Sequence, residues 1–167
     1  VDVLAPSIYI QTPGLPIVNQ SALVIKPIAE ALRLAGIAGH ASVMPYIRAG
    51  CSGTFHKPVP GKAPPYMYGP SGLVASVMAP ASMGVDVLIM WGSSSDVKTC
   101  DECGVIEAWL AGWAGTAIKA CIADRKACAT ARCSGHGKCV DFKANDPMAA
   151  CHYAAAGNAP SCRCDPG

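Results

Sequence analysis

The sequence predicts an α/β fold: three βα units of a parallel sheet, followed by a small disulfide-rich, EGF-like module. Three observations predict it. Apolar segments alternate with stretches of helical periodicity in the order strand, helix, strand, helix, strand, helix. The third apolar segment, Val85-Asp-Val-Leu-Ile-Met90, is almost continuous, as expected of a parallel strand covered on both faces. The C-terminal region carries Cys128-x4-Cys133-Ser-Gly-His-Gly-Lys-Cys139 and then Cys162-Arg-Cys164-Asp-Pro-Gly167. Tight cysteine spacing around a central glycine, closed by Cys-x-Cys, marks a module stapled by disulfides.

The elements follow in order. Residues 4–10, Leu-Ala-Pro-Ser-Ile-Tyr-Ile, read as a short strand. Residues 21–39 read as a helix, with Leu23, Val24, Ile28, Leu32 and Ala35 on one face and Gly36 and Gly39 as stop signals. Residues 43–48 form a second strand. Residues 51–69 form a loop, because Pro58, Pro60, Pro64 and Pro65 block both helix and sheet. A weaker helix over 70–83 is interrupted by Pro80, and residues 85–90 are the third strand. A helix within 97–120 carries Ile106, Trp109, Leu110 and Trp113. The predicted division is a βα region over residues 1–120 and the cysteine module over 121–167. Three units are too few to close a barrel and leave two raw sheet edges, so further strands are expected from a preceding part of the protein. The functional edge of such a sheet lies at the C-terminal ends of its strands, here residues 7–10, 46–51 and 90–94.

Composition narrows the class. The formal net charge is +2 and no Lys/Arg-rich block occurs, which argues against nucleic acid as a partner. Apolar residues make up 51% of the chain, yet no run is long enough to span a membrane. Ten cysteines point to disulfides and an oxidising, extracellular compartment. An EGF-like module needs six cysteines, of which five precede Gly167, so it is expected to be cut before its sixth. Val1 does not read as a start, and no signal peptide precedes it. The expectation is a fragment of a longer secreted protein.

Few residues suggest chemistry by themselves. Cys100-Asp-Glu-Cys103 has the form of a redox or zinc motif, but zinc needs two further placed ligands. His40, His56, His136 and His152 are scattered without ligand spacing, so no metal and no cofactor is expected. Glu30 reads as a structural ion-pair partner on a helix. Asn19-Gln20-Ser21 is an N-glycosylation sequon in a predicted loop.

Five segments in order carry a resemblance: Leu4-Ala-Pro-Ser-Ile-Tyr-Ile10, Ile28-Ala-Glu-Ala-Leu-Arg33, Met44-Pro-Tyr-Ile-Arg48, Val87-Leu-Ile-Met-Trp-Gly92 and Cys133-Ser-Gly-His-Gly-Lys-Cys139. Together they resemble the C-terminal half of the hyaluronidases, secreted glycoside hydrolases with a distorted (β/α) barrel followed by an EGF-like module. The resemblance implies that residues 1–120 are the last three βα units of a partial, TIM-like barrel.

The resemblance also implies roles. The family's general acid is the Glu of an Asp-x-Glu pair upstream of this chain, so no catalytic acid is expected here. The family mechanism is retaining and substrate-assisted, the sugar's own N-acetyl carbonyl attacking the anomeric carbon. Ser7 and Tyr9 match the pair that positions the acetamido group, Tyr46 a tyrosine lining the cleft, and Trp91 a tryptophan packing on the sugar's apolar face. Cys103 is expected to bridge to a cysteine in the preceding part of the protein. In the module, Cys128–Cys139 and Cys133–Cys162 are expected, with the partner of Cys164 beyond Gly167. Cys51, Cys100, Cys121 and Cys151 have no assigned counterpart, and three pairings are open to them. The chain departs from the family at Ala5, at Cys51-Ser-Gly and at Ser94, where the family has aromatic or acidic residues.

Each site residue has a plainer reading. Trp91 reads equally as a core aromatic at a strand end, Tyr9 as a buried strand tyrosine with a satisfied hydroxyl, and Ser7 and Tyr46 as ordinary strand residues. Two functions follow. One is a hyaluronidase-type glycosidase acting on N-acetylhexosamine-containing polysaccharide and completed by the N-terminal part of the same protein. The other is a non-catalytic structural or adhesive component that meets neighbouring extracellular proteins. Fold alone does not choose between them, and the fragment by itself is expected to be inactive under either.

Overall fold

A computed structural model describes residues 2–10, 16–50, 67–92, 100–143, 151 and 161–164. Cys51, the proline cluster of the 51–69 loop, Ser94, the start of the helix predicted from residue 97, and His152 lie outside the described residues.

Three chain segments run side by side and parallel. β1 (Val3–Leu4) pairs with β2 (Ser42–Val43), and β3 (Tyr46–Ile47) pairs with β4 (Ile89–Met90), both in parallel register. A parallel bridge between Ser7 and Tyr46 carries the first pairing onward. Backbone bonds from Ser42 N to Asp2 O, Met44 N to Leu4 O, Tyr46 N to Pro6 O and Ile8 N to Tyr46 O make residues 2–8 one row. Asp86 N to Val43 O, Ile89 N to Pro45 O and Trp91 N to Ile47 O attach the third row. The alternation of strands and helices thus produces parallel pairing. Pro6 and Pro45 lack the N–H that a ladder needs, which is why the predicted strands form in short pieces. The third row is an edge here, and Val87 and Met90 are exposed rather than covered on both faces.

α1 (Ile17–Ala38) starts a turn earlier than the predicted residue 21. Pro16 caps it, its carbonyl accepting from Asn19 N at 2.9 Å and Gln20 N at 3.1 Å. Asn19 therefore sits in the first helical turn, not in a loop, with its side chain exposed while Ser21 is buried. The helix buries Val24, Ile28, Ala31 and Ala35 against the rows and ends on Gly39 at φ 76°.

The segment predicted to break at Pro80 stays helical. α2 (Pro70–Leu73) runs into a π-turn (Val74–Met78) and then α3 (Ala79–Ser82). The widened turn directly precedes the proline, whose ring and missing N–H are the kind of defect that such a turn absorbs.

The helix predicted over 97–120 is two helices. α4 (Cys100–Ala111) and α5 (Trp113–Cys133) meet at Gly112 with a bend of 49°. Gly115 allows it, since a Cβ there would lie 1.8 Å from the Leu110 carbonyl oxygen. α5 continues well past residue 120, through an alanine-rich stretch of strong helix formers. Cys121 and Cys128 therefore belong to the same helix as Trp113, and the division drawn at residues 120 and 121 falls inside it. Ser134 at φ 52° and Gly135 at φ 77° end the helix.

β5 (Gly137–Val140) and β6 (Ser161–Cys164) form an antiparallel hairpin that pairs Cys139 with Cys162. Disulfides join Cys128 to Cys139, Cys133 to Cys162 and Cys121 to Cys151. Cys100 and Cys103 are free and exposed. The hairpin is fastened to the α/β body. The Ser82 hydroxyl accepts from Cys151 N at 3.0 Å, and the Ser82 carbonyl accepts from Asp141 N and Phe142 N. Arg163 donates to the Gly84 carbonyl.

The main core lies between the rows and the helices, and gathers Ile8, Ile10, Ile28, Ile47, Leu73 and Trp109. Tyr68 links its parts: its hydroxyl accepts from Ile10 N at 3.3 Å, and its carbonyl accepts from Trp109 Nε1 at 3.0 Å.

Candidate functional site

Strand alternation sorts the rows into two faces. Ile8, Ile10, Ile47 and Ala49 enter the core. The residues between them, Ser7, Tyr9, Tyr46 and Arg48, take the opposite face, and Ser7 and Arg48 are at least partly open to solvent. Trp91 follows the third row directly and is 42% exposed.

Tyr9 and Trp91 come together on this face. Their ring centroids are 6.2 Å apart with planes inclined by only 18°, an offset stack across the middle row. The middle row contributes Arg48. Its guanidinium carbon lies 4.8 Å from the Tyr9 centroid and 5.3 Å from that of Trp91. Each such cation–π contact is worth about 0.5–1 kcal/mol at a solvent-facing site. Ser7 bridges to Tyr46, and Tyr46 pairs with Ile89. The four residues singled out from sequence thus lie on adjoining rows at one end of the parallel arrangement, with a direct ring contact between two of them.

Arg48 was not among those four. The signal was present, since Arg48 stands two residues after Tyr46 and a strand brings alternate residues to one face. What sequence does not supply is that this face meets Tyr9 and Trp91.

An aromatic platform of this kind suits a sugar. Tyr and Trp offer flat apolar faces to C–H groups, and the Tyr hydroxyl adds one donor and one acceptor. A cation beside the rings adds attraction for a negatively charged group. Several charged groups away from the rings are ion-paired. Glu30 accepts from Arg33 at 2.7 and 2.8 Å on the exposed side of α1, and that hydrogen bond holds its carboxyl below the usual range. Asp86 accepts from Val43 N at 2.7 Å and pairs with Lys138 at 2.6 Å. Burial opposes its ionisation, but the bonds from Lys138 and Val43 and the charge of Arg163 outweigh that, so its carboxyl titrates below the ordinary aspartate value. Arg125 is held between Asp124 and Asp141, each at 2.6 Å.

A cavity of about 500 Å³ opens beside the third row and α5, lined by Ile47, Val77, Leu88, Met90, Ile118 and Ile122 among others. Its walls are mostly apolar, and of the charged residues around it Asp86, Arg125 and Lys138 are ion-paired. Among the described residues, no three His, Cys, Asp or Glu side chains are grouped to hold a metal ion. No single described helix is long and apolar enough to cross a membrane.

Comparison with known proteins bears on this geometry. The hyaluronidase family profile matches residues 2–157. Hyaluronidase-3 of Sus scrofa is 28% identical over 137 residues, covering 82% of this chain and 30% of the relative. Hyaluronidase-1 of Mus musculus is 30% identical over 139 residues, covering 82% and 28%. The crystal structure of bee venom hyaluronidase aligns with a TM-score of 0.57 at 28% identity, over 71% of this chain and 35% of that one. Bee venom hyaluronidase in complex with a hyaluronic acid tetramer aligns with a TM-score of 0.58 at 28% identity, over 71% and 34%. The chain spans about 30% of the length of the curated relatives it matches. With nearly its whole length inside one family profile, and a structure that aligns with a solved member over 71% of its length, the chain belongs to the hyaluronidase family.

Proposed function

We propose that this chain is part of a secreted glycosidase that hydrolyses hyaluronan or a related N-acetylhexosamine-containing polysaccharide with retention of configuration. The three parallel rows are the last strands of a (β/α) barrel, and the stapled hairpin is the start of an EGF-like module. The observation that carries the reading is the solvent-facing stack of Tyr9 on Trp91 at the C-terminal end of the rows. A half-open tryptophan stacked on a tyrosine is poorly explained as core filling, and it is a familiar means of holding a sugar ring.

In this reading Trp91 packs on the apolar face of an N-acetylhexosamine. Ser7 and Tyr9 orient its acetamido group so that the carbonyl oxygen attacks the anomeric carbon, and Tyr46 lines the cleft beside them. Departure of the leaving oxygen requires a proton from a general acid, which belongs to an Asp-x-Glu pair in the part of the protein that precedes residue 1. The Tyr9 hydroxyl stabilises charge that develops on the acetamido group, an interaction stronger in the transition state than before it. Cys103, exposed and unbonded here, bridges to that preceding part, and Cys164 to a cysteine beyond residue 167. Asn19, exposed on the first turn of α1, carries an N-glycan.

The test is reducing-end release from hyaluronan and from chondroitin by the full-length protein, with Trp91→Ala in parallel. Release by the wild type that collapses in the variant supports the reading. A folded full-length protein that releases no ends from either polymer overturns it, and leaves a non-catalytic extracellular component.

A further inference from the structure

We infer that Asn19 accepts its glycan only before α1 folds, and that the Ser21 hydroxyl serves this transfer and has no part in the folded protein. The inference rests on the reading of Asn19 as a glycan carrier and adds the order of events to it.

A sequon works as a pair of groups. The Asn19 amide nitrogen displaces a lipid-linked pyrophosphate from C1 of an oligosaccharide's first N-acetylglucosamine. A C–N bond forms, the C–O bond to the pyrophosphate breaks, and the amide gives up one proton. The transferase reads the hydroxyl two residues further on at the same time. Both groups must therefore reach one enzyme surface together. An α-helix turns by about 100° per residue, so positions two apart point to nearly opposite sides. α1 begins at Ile17, and Asn19 N and Gln20 N are bonded to the Pro16 carbonyl at 2.9 and 3.1 Å. Asn19 is exposed, while Ser21 is only 1% exposed and lines up with Val24 and Ile28 on the core side of the helix. The fold thus separates the two halves of the sequon.

Among the described residues, the Ser21 hydroxyl has no hydrogen-bond partner. A buried hydroxyl without a partner lowers stability, and alanine, of nearly the same size, avoids that loss. Packing therefore gives no reason for a serine in line with Val24 and Ile28. A hydroxyl that is read while the chain is still unfolded does. Asn19 stays exposed after folding, so a glycan already attached needs no room in the core.

The experiment uses full-length protein produced with synthesis of the oligosaccharide donor blocked, so that Asn19 is bare. Purified oligosaccharyltransferase and lipid-linked oligosaccharide are added to the native protein and, separately, to the same protein reduced and diluted from urea. Mass spectrometry of the peptide that holds Asn19 reads the rate of transfer. The expected result is transfer to the unfolded chain at least roughly tenfold faster than to the native one. Equal rates overturn the inference and need no variant. Melting temperatures are then compared for bare wild type and bare Ser21→Ala. The variant is expected to melt about 2–4 °C higher. A variant that melts lower gives the hydroxyl a role in the fold and overturns the inference. In both cases the reading of Asn19 as a glycan carrier stands. Protein made with the donor present but still bare at Asn19 overturns that reading and the inference with it, and leaves the polysaccharide reading to its own assay.

Discussion

Asp86 Oδ1 lies 2.6 Å from Lys138 Nζ, and this contact bonds the third parallel row to the cysteine-stapled hairpin. The same carboxylate accepts from Val43 N at 2.7 Å and has Arg163 at 3.6 Å, so one side chain ties two rows and both hairpin strands. Asp86→Asn is expected to lower stability by about 1–3 kcal/mol at neutral pH, because Lys138 loses its counter-charge in a partly buried setting. Its carboxyl is held below the ordinary aspartate value, so this contribution is full above about pH 4 and is lost as pH falls from there through the folded value. Melting temperatures of wild type and variant should therefore differ at pH 7 and converge in acid. A gap that stays constant down to pH 3 counts against the assignment.

The bend between α4 and α5 depends on Gly115, where a Cβ would meet the Leu110 carbonyl oxygen at 1.8 Å. Gly115→Ala must push backbone apart and is expected to destabilise by about 2–3 kcal/mol. A Cβ at Gly104 on α4 would meet nothing within 4 Å, so Gly104→Ala should stabilise by about 0.5–1 kcal/mol. Chemical denaturation of the two variants checks the contrast, and the reverse order would refute the described bend.

The Cys121–Cys151 bridge closes 30 residues of chain between α5 and the segment that meets Ser82. The double variant Cys121→Ser, Cys151→Ser is expected to lose about 3–4 kcal/mol on the chain-entropy account. Partial reduction followed by peptide mapping of the trapped thiols reads the pairing directly.

Trp91 is 42% exposed, so Trp91→Ala should change stability by no more than about 1 kcal/mol. Affinity for hyaluronan should fall roughly ten- to a hundredfold, because the platform loses its larger ring. Calorimetry on the same preparation separates the two effects. A melting temperature that drops while affinity holds would mark Trp91 as packing.

Tyr9→Phe keeps the ring stacked on Trp91 and removes only the hydroxyl. If that hydroxyl steadies the acetamido group in the transition state, kcat should fall by about a hundredfold with KM little changed. Steady-state kinetics of the full-length variant decide it, and a rise in KM alone would place the hydroxyl in ground-state binding.

That four predicted residues share one rim was legible in the order of residues. Ser7, Tyr9, Tyr46 and Trp91 stand at or near strand ends, and a parallel arrangement brings such ends to one rim. The helix ends were less legible. Pro16 begins α1 a turn early by offering its carbonyl to Asn19 and Gln20, an interaction that a hydrophobic pattern does not register. The split at Gly112 was hidden because glycine within an apolar, periodic stretch reads as a tolerated interruption. The length of α5 was hidden because its cysteines carry the spacing of a stapled module, a signal that competes with the helix propensity of the alanines between them.

By itself the sequence determined the alternation of strands and helices, the stapled C-terminal region and the aromatic residues near the strand ends. Those properties follow from periodicity, from cysteine spacing and from residue type, all of which act over a few positions. Only the tertiary structure decided that Arg48 lies over both Tyr9 and Trp91, that Asp86 joins rows to hairpin, and that Cys121 bonds to Cys151. These contacts link residues far apart in the chain, and they exist only once parallel pairing and helix packing have set where each backbone runs.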